Sequence, residues 1–300
     1  MSPTRTRRQH HASELSRIAD RAQSRGGYDP IMVNLRARTI VFDVDGTLCF
    51  DGRTIDDRIL TAIGVCERLG HHVVFASARP VRDLLPVLDG AFPAATLIGG
   101  NGSLVSIDNQ VRARAAFGPS GLAALMEVVE RYNATYLADG PWDYAYTGPA
   151  DHPIVGRVDQ GNLARKVDVA ELGEVVKFLV VGASDMAGFA AAGRGLGLTV
   201  NHHLDEAIVD VAPAATTKWE ALASMGISEY VAFGNDINDV DLLRNAERAV
   251  RVGTHPSLDD VAHVTVTAAP AAVAAEIALL AQADRALAQV KSDRSGIEAP

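Results

Sequence analysis

Cysteine is nearly absent from this sequence, with Cys49 and Cys66 the two in 300 residues. A disulfide framework is therefore not indicated, and both thiols read as reduced, structural side chains. Long apolar runs are missing as well. None reaches membrane-spanning length, and no signal-peptide core follows the basic start, so the expected compartment is the cytoplasm. Positive charge is in deficit: 28 Lys and Arg face 37 Asp and Glu, for a formal net charge of -9 and a pI of about 5.4. That balance argues against nonspecific nucleic-acid binding, and an anionic substrate would need local cations or a metal. The remainder is ordinary for a globular protein, at 48% hydrophobic and 22% charged. Three hundred residues allow one large or two medium domains with a sizeable core. Nothing in the sequence sets an oligomeric state.

The charge is not evenly spread. Residues 1–38 hold eight arginines against Glu14, Asp20 and Asp29. Residues 1–36 read as a basic extension, a frayed arm or packing segment, in which Ser13 caps a short helix through Ala22. An Arg-rich, acid-poor start also has the character of a transit peptide. From Thr39 the pattern changes. Thr39-Ile40-Val41-Phe42 is a short β-branched run that reads as a buried strand. It ends in Asp43 and Asp45, with Gly46 supplying a turn that lifts both acids out at the strand's carboxyl end. Asp and Gly also make plain turns, so the later residues must decide what the pair is for.

Thr54-Ile55-Asp56-Asp57 starts a helix with acids in its first turn. A second strand at 72–76 ends at Ser77-Ala78-Arg79-Pro80, a helix runs to about Leu88, and a third strand lies near 96–98 before the turn Gly99-Gly100-Asn101-Gly102. This β-α-β-α-β run predicts a doubly wound, Rossmann-like parallel sheet. Residues 107–199 read differently, with short strands, helices over 121–132 and 187–193, and many Gly and Pro. They are expected to form an inserted α+β cap, the core being 37–106 and 200–290. Gly193-Arg194-Gly195-Leu196-Gly197 does not fit the spaced dinucleotide fingerprint and is better read as a helix-to-strand connection. The core pattern resumes with a strand over 207–211 and a helix opening at Lys218. Another strand over 230–233 ends in Gly234-Asn235-Asp236-Ile237-Asn238-Asp239. Strands at 249–252 and 263–267 follow, then an Ala-rich helix from Pro270.

In a parallel sheet the carboxyl ends of the strands share one edge. Asp43 and Asp45, Ser77 and Arg79, Lys218, and the Asn235–Asp239 loop would therefore meet. A carboxylate nucleophile, a second acid, a hydroxyl, an ammonium and a second acidic loop are the set that phosphoryl transfer needs.

At these residues the chain resembles the haloacid dehalogenase-like superfamily of phosphatases. Asp43-Val44-Asp45-Gly46-Thr47-Leu48 is similar to the first motif in full, Ser77 to the second, Lys218 to the third, and Gly234–Asp239 to the fourth, Gly-Asp-x-x-Asn-Asp, with Asn235 in place of the first acid. Ser77-Ala78-Arg79-Pro80, Asn101-Gly102 and the place of the insertion resemble the Cof-type subfamily with its type IIB cap. The resemblance implies Asp43 as nucleophile and Asp45 as acid and then base. It implies Ser77 and Lys218 on the phosphate, Thr47 steadying the first loop, and Arg79 and Asn101 facing the cleft. It implies Mg²⁺ held by Asp43, the Asp45 carbonyl and the fourth-motif loop, through Asn235 and Asp239. The activity implied is Mg-dependent hydrolysis of a small soluble phosphate monoester, a sugar phosphate first. The alternatives are a sugar phosphomutase and a phospho-acceptor signalling module.

Plainer roles remain for several residues. Arg79 also suits a salt bridge between core and cap, and Asn101 a Gly-rich turn. The pairs His71-His72 and His202-His203 read as structural, since neighbours on a strand face opposite ways. Trp142, Tyr144 and Tyr146 read as one packed face of a cap strand, with one of them lining the cleft as the sharper alternative.

Overall fold

A computed structural model describes residues 37–203 and 207–281. The basic extension, its predicted helix and the C-terminal residues past 281 lie outside the described residues. Two sheets organise the rest. The larger has the strand order β13-β12-β11-β1-β2-β3-β4-β5. Its centre is β1 (Thr39–Asp43), flanked by β2 (His72–Ala76) and β11 (Tyr230–Gly234). These three are parallel, with Phe42 opposite both Phe75 and Phe233. Alternation puts those three rings on one face of the sheet, the Phe42 centroid lying 6.1 Å from Phe75 and 5.0 Å from Phe233. It puts Val41, Val74 and Ala232 on the other face. Both faces are covered, which is why these strands read as continuous apolar runs rather than alternating ones.

Helices cover the sheet where their apolar stripes dictate. The first, α1 (Asp57–Arg68), is capped by the Asp56 side chain, which accepts from the Arg58 N–H. It buries Ile59, Ala62, Ile63 and Cys66, the spacing of one helical face. Cys66 and Cys49 are both buried. The second, α2 (Val81–Leu88), follows β2 and ends where Asp89 turns left-handed, at φ 46°. From β1 the chain steps outward through β2 to β3 (Thr96–Gly99); on the other side it steps from β11 through β12 (Arg248–Val252) to β13 (Val264–Val266). The direction of winding therefore reverses between β1 and β11, the place where open α/β sheets bind ligands.

Two corrections concern the insertion. The hairpin β4 (Leu104–Ile107) and β5 (Gln110–Ala113) extends the large sheet antiparallel to β3 instead of opening the cap. The strand predicted at 207–211, assigned above to the core, is β10 (Ile208–Ala212), and it belongs to the second sheet. A short run of four apolar residues and one acid fits a buried strand in either sheet, and local pattern does not name its partners. The second sheet is antiparallel throughout, in the order β7-β6-β8-β10-β9. Its strands are β6 (Thr135–Asp139), β7 (Tyr144–Tyr146), β8 (Lys177–Gly182), β9 (Thr199–His203) and β10. On one face Tyr136, Ala138, Phe178, Val180, Val209 and Val211 pack against helices α3 (Pro119–Arg131) and α4 (Met186–Gly195). The opposite face looks into a cavity it shares with the carboxyl ends of the large sheet. Helices α5 (Lys218–Ser224) and α6 (Val240–Arg244) return to the large sheet, and residues 270–281 form α7. Among the described residues no helix is long and apolar enough to cross a membrane.

Candidate active site

Asp43 closes β1 and is 4% exposed. The chain then turns: the Leu48 and Cys49 N–H groups both donate to the Val44 carbonyl, and Gly46 takes φ 78°. A Cβ at Gly46 would sit 2.1 Å from the Asn235 amide, so the turn needs glycine for both its torsion and its closeness to the β11 loop. Asp45 lies past the strand end, its side chain 42% exposed. Ser77, at the end of β2, is buried and accepts the Arg79 N–H on its hydroxyl.

Lys218 is the first residue of α5, set there by Thr217, whose side chain caps the helix. It is fully buried. Its Nζ donates to Asp43 Oδ1 at 2.5 Å and to Asp239 Oδ1 at 2.7 Å. Burial pushes the Asp43 carboxyl up, the Asp239 charge adds to the rise, and the Lys218 ammonium opposes it. Burial acts to lower Lys218 in turn, but the charges of Asp239 and Asp43 outweigh it. The other oxygen of Asp239 accepts the backbone N–H groups of Asn235 and Asp236, at 2.9 and 3.2 Å. Both Asp239 oxygens are thus engaged by protein donors.

The donor set for a cation is different from the one expected. Hydrogen bonding assigns the Asn235 amide so that Nδ2 donates to Asp43 Oδ2 at 2.9 Å, to the Asp45 carbonyl at 3.0 Å and to Thr47 Oγ1 at 3.1 Å. Three oxygens converge there, among them a carboxylate and a backbone carbonyl, and a half-turn of the amide would bring its own oxygen to the same point. Hard oxygen donors of this kind suit Mg²⁺. Among the described residues no group of three or more His, Cys, Asp or Glu is arranged to hold a metal, so the fit rests on this mixed set.

Other expected contacts are redistributed. Arg79 does not bridge to the second sheet. It forks onto Asp45, Nε to Oδ2 at 2.8 Å and Nη2 to Oδ1 at 2.5 Å, and also donates to the Gly52 carbonyl. The ion pair between the sheets is instead Arg82 with Asp139, at 2.7 Å. Asn101, with φ 55°, does not line the cavity. Its Oδ1 accepts from Asn238 Nδ2 at 3.0 Å and its amide faces Asp210. Thr47 and Lys218 are likewise fully buried behind the cavity wall. Trp142, Tyr144 and Tyr146 do not line it either: the indole donates to the Leu163 carbonyl and Tyr144 lies under the Arg82 guanidinium. His72 pairs with Thr96, and the His71 ring accepts the Arg38 N–H.

The cavity has a volume of about 980 Å³. Asp43, Asp45, Ser77, Arg79 and Asn235 line one side, and Asp139, Lys177 and Asp210 of the second sheet line the other. The last three were missed. Their signal was a single charged residue in each of three apolar strands, at Leu137-Ala138-Asp139, Lys177-Phe178-Leu179 and Val209-Asp210-Val211.

A family model described as haloacid dehalogenase-like hydrolase matches residues 40–161, which include the Asp43–Leu48 and Ser77–Pro80 segments. Over that stretch, less than half of its length, the chain is similar to the haloacid dehalogenase-like hydrolases. It is 24% identical over 242 residues to YkrA of Bacillus subtilis (strain 168), which is named as a phosphatase; the match spans 75% of this chain and 90% of the relative. Its fold is similar to that of a haloacid dehalogenase-like hydrolase from Bacteroides thetaiotaomicron, with a TM-score of 0.69 and 18% identity over 81% of this chain and 99% of that one. It is also similar to the subclass IIB sugar phosphatase BT4131, with a TM-score of 0.64 and 17% identity over 84% and 99% of the two chains.

Proposed function

We propose that this protein cleaves small phosphate monoesters, sugar phosphates first, through an aspartyl-phosphate on Asp43 and with Mg²⁺ as cofactor. One observation carries the reading. Asp43 is a buried carboxylate gripped on one oxygen by Lys218, next to Asp45 and Ser77, on the wall of a cavity that the second sheet closes from above. The sugar-phosphatase name of one structural relative supports the substrate class.

The chemistry follows from the groups present. A carboxylate oxygen of Asp43 attacks phosphorus, and the bond to the ester oxygen breaks. Asp45 gives that oxygen its proton, so the alcohol leaves neutral. Asp45, now a carboxylate, takes a proton from water, which attacks the acyl-phosphate. Inorganic phosphate departs and both carboxyl groups return to their starting state. Lys218 holds Asp43 in one orientation and offsets charge during the transfer, while Asp239 holds Lys218. The Ser77 hydroxyl donates to a phosphoryl oxygen. Asp43, the Asp45 carbonyl and the Asn235 amide oxygen would hold Mg²⁺, which supplies charge neutralisation of the transferring phosphoryl group. A signalling module would need neither a proton donor at position 45 nor a second sheet over the site.

Asp43→Asn tests this. An amide cannot form the acyl-phosphate, so phosphate release from p-nitrophenyl phosphate should fall at least a thousandfold with the far-UV spectrum unchanged. Retention of a tenth of wild-type turnover would remove Asp43 as nucleophile.

A further inference from the structure

The second sheet presents one face to the cavity, and its composition is unusual for a buried surface. Alternation along β6, β8 and β10 brings Leu137, Asp139, Lys177, Leu179, Ile208 and Asp210 to that face, and all six line the cavity. Asp139 sits directly across from Lys177 in the strand pairing, and Asp210 across from Leu179. The face therefore carries three aliphatic side chains beside three charged ones, with no aromatic ring among the six.

The charged side chains are 2%, 7% and 4% exposed for Asp139, Lys177 and Asp210. Burying them needs a reason, and their mutual bonds supply only part of one. Lys177 Nζ donates to the Ala78 carbonyl at 2.9 Å and pairs with Asp210 Oδ2 at 3.0 Å. An ammonium has three N–H donors, so one remains. Asp139 gives Oδ1 to Arg82. Among the described residues, Asp139 Oδ2 and Asp210 Oδ1 accept no hydrogen bond. Three unused polar valences on nearly buried groups thus border the cavity, and through Ala78 the ammonium is one residue from Ser77.

We infer that Asp139, Lys177 and Asp210 form the surface that selects the alcohol half of the ester, and that they favour a neutral, hydroxyl-rich alcohol over an anionic or aromatic one. This rests on the phosphatase reading above. A hydroxyl both donates and accepts, so a polyol can satisfy two carboxylate oxygens and one ammonium together, while its C–H groups lie on Leu137, Leu179 and Ile208. A carboxylate or a second phosphate can only accept, and it would face two carboxylates for one ammonium. Arg82, the nearby cation, is already shared between Asp139 and Asp83. Arg53 and Arg157 also line the cavity, but both are exposed, and water and salt screen their pull on an anion. Groups that bond a substrate hydroxyl reject analogues lacking it strongly, because they are otherwise left unpaired.

The test uses the full chain with Mg²⁺ and measures kcat/KM for three kinds of ester. Glucose 6-phosphate, sorbitol 6-phosphate and glycerol 1-phosphate have neutral hydroxylated alcohols, 2-phosphoglycolate an anionic one, and p-nitrophenyl phosphate an aromatic one without hydroxyls. Wild type should prefer the best neutral ester to 2-phosphoglycolate by tenfold or more. In Asp210→Asn, which keeps the side-chain shape, the ratio of the best neutral ester to p-nitrophenyl phosphate should fall at least tenfold, and the ratio of 2-phosphoglycolate to p-nitrophenyl phosphate should rise. Asp139→Asn should move both ratios the same way, so one poorly folding variant does not end the test. Ratios within twofold of wild type in the folded variants, or a wild-type preference for 2-phosphoglycolate, would overturn the inference. A wild type that cleaves none of the esters would overturn the phosphatase reading itself.

Discussion

Replacing Arg82 with methionine tests how the second sheet is held over the site. The guanidinium is 1% exposed, reaches Asp139 at 2.7 Å and Asp83 at 3.1 Å, and donates to the Trp142 carbonyl at 2.7 Å. Methionine fills much of the volume but carries no charge. Asp83 would keep the Asp159 N–H, whereas Asp139 would be left with only the nearby Lys177 charge. Removing one member of a buried ion pair costs about 3–5 kcal/mol, which for a chain of this size lowers Tm by roughly 6–15 °C. The loss should depend on pH. Burial already raises the Asp139 carboxyl above its ordinary range, and the Arg82 charge and hydrogen bond are the main forces opposing that rise. Without them the folded-state pKa climbs further above the unfolded one. Stability tied to such a group is present below the unfolded pKa and lost as pH rises through the folded one. The variant's deficit should therefore be largest near pH 7 and shrink towards about pH 4. Urea unfolding at a series of pH values measures it, and Arg82→Met with Asp139→Asn should recover at least about 2 kcal/mol. A single-variant loss under about 1 kcal/mol at pH 7, or a deficit flat with pH, would refute the reasoning.

Trp142→Ala should lower Tm through loss of the indole bond to Leu163, and leave the ranking of substrates as it is, since the ring does not reach the cavity. Asn235→Asp should tighten Mg²⁺ binding about tenfold or more, read as the Mg²⁺-dependent rise in Tm, and Asn235→Ala should weaken it. Asp239→Asn should instead loosen Lys218 and destabilise the fold, with a smaller change in Mg²⁺ affinity than Asn235→Ala, because both Asp239 oxygens already serve protein donors.

That last ordering reverses what spacing alone suggests. Asp239 is the acid that matches the fourth motif, and four residues from Asn235 it passes for a ligand. Which oxygen faces which donor depends on the turn between them, which the spacing does not specify. The first motif was legible because a β-branched run ending in two acids and a glycine has few other uses. Lys218 was legible as a cation at the same sheet edge, expected on the phosphate, but its pairing with Asp43 and its full burial were not, since Thr216-Thr217-Lys218 opens an exposed helix equally well. The selecting face of the second sheet stayed hidden for another reason. Asp139, Lys177 and Asp210 lie far apart in the chain, each alone in a short strand, and only the pairing of β6, β8 and β10 brings them together. The same ignorance of pairing sent β10 to the wrong sheet.

The central strand has one near neighbour and one distant one. Thr39 pairs with His72 on one side and with Tyr230 on the other, about 190 residues downstream. At roughly 5–20 residues per second, a ribosome needs about 10–40 s to supply that second partner. Through that interval the nucleophile's strand has an open edge, a template for pairing with the wrong chain, and Asp43 has neither Lys218 nor Asn235. A product truncated before Lys218 thus carries the complete first motif and no working centre, and turnover becomes a report that synthesis has passed Asp239 and that the sheet has closed around Asp43.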